Sequence, residues 1–126
     1  MRKKRLLLVA EEAGALTSVS GLLDAAGYEV TTASSVGEAL AMIDGNVPDL
    51  ILLDGAEGAG EISSREETRR IPLVLIAELV ESSGGNPPPG IRRIIYKPCR
   101  PRTLIEGVES ALRYGPRGVV EEGASE

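Results

Sequence analysis

The chain has 126 residues, 42% of them apolar, a formal net charge of −5, one Cys and no His, Trp or Phe. That length suits one domain whose core is built from Leu, Ile, Val and Ala. Lacking His, it has no imidazole acid–base catalyst, no Ser-His-Asp arrangement and no usual zinc site. Cys99 has no internal disulfide partner, which suits a reducing cytoplasm, and the acidic balance argues against direct nucleic-acid binding.

The chain opens on the basic run Met1-Arg2-Lys3-Lys4-Arg5, followed by the apolar run Leu6 to Ala10. Glu11-Glu12 ends that run before it reaches the length of a signal sequence or a membrane span. It is read as a first strand. Leu16, Val19, Leu23 and Ala26 then mark one face of a helix, closed by Gly27. Tyr28 to Thr32 is rich in strand formers. Ser35 with Glu38 makes a capping box, and Val36, Ala39, Leu40 and Ile43 continue as a helical face up to Gly45.

Pro48-Asp49-Leu50-Ile51-Leu52-Leu53-Asp54 follows, four apolar residues between two carboxylates. The run is too short for a core helix and reads as a strand buried on both faces, as in a parallel sheet. Asp54 stands where that strand emerges. Taken alone, Asp54-Gly55 is better read as the start of a turn.

Beyond it, Gly55, Gly58 and Gly60 form a loop, and residues 61–70 allow only a short helix anchored by Ile62. Pro72 to Ala77 is a fourth strand. Residues 82–90 contain Gly84-Gly85 and Pro87-Pro88-Pro89, which do not propagate a helix. Ile91 to Tyr96 is a fifth strand, followed by Lys97-Pro98. Leu104, Val108, Ala111 and Leu112 face a last helix ending at Gly115. The domain is expected over residues 1–115, with residues 116–126 a disordered acidic tail.

Strands alternating with helices imply a parallel sheet. The expected fold is α/β, a flavodoxin-like three-layer sandwich with a five-stranded parallel sheet in the order 2-1-3-4-5. Its third helix is short and its fourth, between the last two strands, reduced or absent. In that order the strand order reverses between strands one and three, and ligands bind at that switch point. Glu11, Glu12 and Asp54 would meet there.

At this point the chain resembles the CheY-like receiver domain of two-component response regulators, over about residues 4–114. The resemblance rests on Leu7-Leu8-Val9-Ala10-Glu11-Glu12, Pro48 to Asp54, Ile71 to Ala77, and Lys97-Pro98. It implies that Asp54 accepts a phosphoryl group from a histidine kinase or phosphotransfer protein. It also implies that Glu11, Glu12 and Asp54 hold Mg²⁺ and that Lys97 contacts the phosphoryl group. Mg²⁺ prefers hard oxygen ligands, and phosphoryl transfer needs positioning and charge neutralisation. Outside the resemblance, Glu11-Glu12 reads as an acidic pair opening a helix, and Lys97 as a strand-end charge.

The chain also departs from the family. Both residues of the acidic pair are Glu. Ala77 stands where the family has Thr or Ser. Ile94 stands where it has Tyr or Phe, with Tyr96 expected on the opposite face. Gly55-Ala56-Glu57-Gly58 replaces the usual Met-Pro loop. These changes remove the hydroxyl and the aromatic group of the family's switch. The expected function is therefore an atypical, non-enzymatic receiver, monomeric or weakly dimeric, that binds Mg²⁺ weakly and acts through a downstream protein partner. The alternatives are a pseudo-receiver that works without phosphorylation and a small-molecule-binding flavodoxin-like protein.

Overall fold

Three apolar runs become the middle of the sheet because both of its faces are covered. In the computed structural model, which describes residues 3–55, 59–65, 68, 70–78, 91–97, 100–114 and 120–122, β1 (Arg5–Val9) lies between β2 (Glu29–Ala33) and β3 (Leu50–Asp54). β3 pairs with β4 (Leu73–Glu78), and β4 with β5 (Ile91–Lys97). All these pairs are parallel. The order 2-1-3-4-5 is the one expected from the sequence.

Alternation along each strand divides the core in two. Leu7, Val9, Ile51, Leu53, Leu73, Leu75 and Ala77 share one face with Ala39 and Ile43 of α2 (Val36–Ile43) and Ile62 of α3 (Ala59–Ser64). Leu6, Leu8, Leu50, Leu52, Val74 and Ile76 share the other with Leu23 of α1 (Ala13–Ala25) and Leu104, Val108 and Ala111 of α4 (Pro101–Tyr114). Burial on both faces explains why β1, β3 and β4 read as continuous apolar runs. At the sheet's β2 edge the pattern thins: Glu29, Thr31 and Thr32 are exposed and only Ala33 is buried.

The helix ends follow local chemistry. Gly27 follows α1 at φ 101°, and its N–H donates to the Asp24 carbonyl at 3.0 Å. Ser35 caps α2 by accepting from the Glu38 N–H at 3.1 Å. The Glu38 carboxylate reaches one residue further back than an ideal capping box, to the Ser34 N–H at 2.6 Å. α3 is six residues long, as short as its polar sequence allows, and the buried Ile62 anchors it.

The structure differs from the sequence reading in several places. β1 and β2 are displaced by one residue, in opposite directions along the chain. Ile94 and Tyr96 share one face of β5, with Ile95 on the other. The expectation that Tyr96 opposes Ile94 was therefore wrong, since residues two apart on a strand point the same way. Residues 120–122, expected in a disordered tail, form β6 (Val120–Glu122), parallel to β5. The sheet thus has six strands. The reduced helix expected over 82–90 lies outside the described residues. Among the described residues no helix is long and apolar enough to cross a membrane.

Tyr28 enters β2 buried against the face that carries α4. Burial, then the nearby Glu109, push its phenol above the ordinary value of 10.0, while Arg113 opposes them. A phenol whose folded pKa is raised keeps its proton after the unfolded chain has lost it. Its stabilising contribution is complete below about pH 10 and falls as pH rises above that. Urea midpoints measured from pH 8 to 11 should therefore fall more steeply for the wild type than for Tyr28→Phe. Parallel curves would refute this.

Candidate functional site

The site is built where the strand order reverses. From β1 the chain passes through α1 to β2 on one side, and then through α2 to β3 on the other side of β1. The residues after β1 and at the end of β3 therefore flank one crevice at the carboxyl end of the sheet. Val9 pairs in register with Leu53, so Asp54 lies one position beyond that pair.

Asp54 is the last residue of β3, half-buried, and in register with Ile76 of β4. Gly55 turns the chain at once. Its φ is 101°, and its N–H donates to the Ile76 carbonyl at 2.8 Å. An added Cβ there meets nothing within 4 Å, so Gly is favoured by its backbone angle and not by crowding. The turn reading of Asp54-Gly55 is thus also correct. The Gly55 turn ties the end of β3 to β4 and sets the direction in which the chain leaves Asp54.

Glu11 and Glu12 are exposed in the step from β1 to α1. Glu12 is the N-terminal cap residue of α1, although its side chain makes no capping hydrogen bond. Its Oε1 lies 4.0 Å from the place a Cβ on Gly14 would take, over the first helical turn. A carboxylate there is favoured by the helix dipole. Among the described residues no group of three or more His, Cys, Asp or Glu could hold a metal ion. Glu11, Glu12 and Asp54 share an end of the sheet, and their side chains are not gathered into a cage.

Lys97 ends β5 in register with Glu78, the last residue of β4. Ile76 pairs with both Asp54 and Ile95, which puts Lys97 two residues beyond the register level of Asp54, two strands away. Ala77 is buried, in register with Tyr96, and shares its face with Ile94 and Tyr96.

One residue of structural weight escaped the sequence reading. Thr68 is buried, its hydroxyl donates to the Ile62 carbonyl, and its own carbonyl accepts from the Ile71 N–H at 3.0 Å. It joins the end of α3 to the entry of β4. A lone Thr among charged residues carries no pattern that would have marked it.

No protein-family model matches the sequence. The chain is 32% identical over 119 residues to the phosphate regulon transcriptional regulatory protein PhoB of Pseudomonas aeruginosa, covering 87% of this chain and 52% of that protein. It therefore spans about half the length of that curated relative. A crystal structure of a response regulator from Chloroflexus aurantiacus superposes with a TM-score of 0.74 at 25% identity, over 88% of this chain and 98% of that one. The chain is a response-regulator receiver domain. The chemotaxis response regulator CheY4 of Vibrio cholerae shares the fold, with a TM-score of 0.72 at 24% identity over 86% of this receiver and 98% of that chain. Asp54 of this receiver occupies the switch point of a flavodoxin-like sheet.

Proposed function

We propose that this receiver is an atypical component of a phosphorelay, with Asp54 as phosphoacceptor, acting through protein–protein contacts and with a weakened switch. The observation that carries the reading is the position of Asp54, half-buried at the carboxyl end of β3 where the strand order reverses. The donor is a phosphohistidine on a histidine kinase or phosphotransfer protein. An Asp54 carboxylate oxygen attacks phosphorus, the nitrogen–phosphorus bond breaks, and the departing imidazole takes up a proton. Lys97 is the candidate cation for the added charge. The output passes to a downstream protein partner, and the lone Cys99 suits a reducing cytoplasm.

Ordering the exposed Glu11 and Glu12 side chains around Mg²⁺ with Asp54 costs conformational entropy, so weak affinity is expected. In a titration, Mg²⁺ should move the amides of residues 10–13 and 54–55 only at high concentration. Tight, saturable binding would show that the cage forms readily.

The test of the main reading is intact-mass measurement after incubation with acetyl phosphate and Mg²⁺. The wild type should gain one phosphoryl group and Asp54→Asn none. An unmodified wild type would favour the second reading, a phosphorylation-independent interaction module. Ala77 supports that second reading, because it offers no hydroxyl to a phosphoryl group.

A further inference from the structure

The sheet does not stop at β5. Arg93, Ile94 and Ile95 pair in parallel with Val120, Glu121 and Glu122 of β6. Among the described residues, β6 pairs with three of the seven positions of β5. An edge strand offers a row of N–H and C=O groups to any extended segment that can align with it. We propose that the β5 edge is a strand-addition site for an extended, acidic segment of a protein partner, and that β6 is its occupant in cis.

Charge sets the class of partner. β5 carries Arg92, Arg93 and Lys97 and no acid, while the segment seated on it is Val-Glu-Glu. The Arg93 guanidinium donates to the Ser110 hydroxyl of α4, which holds one cation at this edge. Ile94 and Ile95 are buried, so the edge reads a partner through backbone pairing and flanking charge.

Length sets the competition. A three-residue strand at a sheet edge is held by few pairs and belongs to the part of a fold that opens most cheaply. A partner segment of about five residues or more, running parallel to β5, forms more pairs than β6 makes among the described residues and displaces it.

The test uses the full chain and a synthetic peptide with the sequence of residues 117–126, followed by amide spectra. Val120→Pro removes a backbone donor from β6 and should open the edge. It should bind the peptide about tenfold more tightly than the wild type, the reciprocal of the fraction of open edge. Shifts should centre on residues 91–97, and a peptide with Lys in place of Glu121 and Glu122 should bind weakly.

A second variant covers the case in which Val120→Pro does not fold. Arg93→Cys with Val120→Cys, in a Cys99→Ser background, places a disulfide across a register pair. It should bind the peptide when reduced and not when oxidised. Equal binding by the wild type and Val120→Pro, equal binding in both redox states, or shifts away from β5 would each overturn the proposal. A peptide-independent dimer of Val120→Pro with the same shifts would also overturn it, by making a second copy the occupant.

Discussion

Replacing Leu52 by Ala is expected to destabilise the domain by about 2–5 kcal/mol, a large share of the stability of a chain this size. Leu52 is fully buried, on the central strand of the order 2-1-3-4-5, in register with Leu8 on one side and Val74 on the other. The three side chains belong to the core shared with α1 and α4. Neighbours on both sides resist collapse into the space left, so loss of transfer energy and an unfilled cavity add. Urea unfolding of the two proteins measures the difference. Val47→Ala is the control, since Val47 is 50% exposed. It should stay within about 0.5 kcal/mol of the wild type. A Leu52→Ala cost as small as the control's would mean that β3 is not buried on both faces.

The second large effect is one of silence. Loading Asp54 with beryllofluoride, a phosphoryl mimic, should shift amides near residues 10–13, 53–55 and Lys97 and leave the rest of β5 and α4 almost unmoved. A modification shifts a two-state equilibrium only by its differential interaction with the two states. The receiver resemblance calls for a hydroxyl at the end of β4, and the residue there is the buried Ala77. A charge-assisted hydrogen bond of roughly 1.5–3 kcal/mol is therefore missing, which cuts the bias roughly ten- to a hundredfold. Tyr96 lies in register with Ala77 on the same face, but it is already buried, as is Ile94. A phosphoryl group finds little there that differs between two states. Large, saturable shifts across 91–97 and 100–114 would show that the domain switches by another route.

Much of this was legible in residue order because it is local. The apolar runs at Leu6 to Val9, Leu50 to Leu53 and Leu73 to Ala77 announce strands covered on both faces. Gly27 and the Ser35–Glu38 pair mark helix ends through backbone angle and one hydrogen bond. With parallel connections, those elements suit the order 2-1-3-4-5, which the structure has and which puts Asp54 at its reversal. Tertiary structure decided the rest. Whether Glu11 and Glu12 meet Asp54 depends on the path from β1 into α1, where Glu12 takes the N-cap position with no side-chain capping bond and no metal cage is gathered among the described residues. Thr68 matters because a carbonyl six residues back needs a donor. Residues 120–122 are a strand because β5 presents an edge to them, and no periodicity within three residues can encode a partner 27 positions earlier (120 − 93).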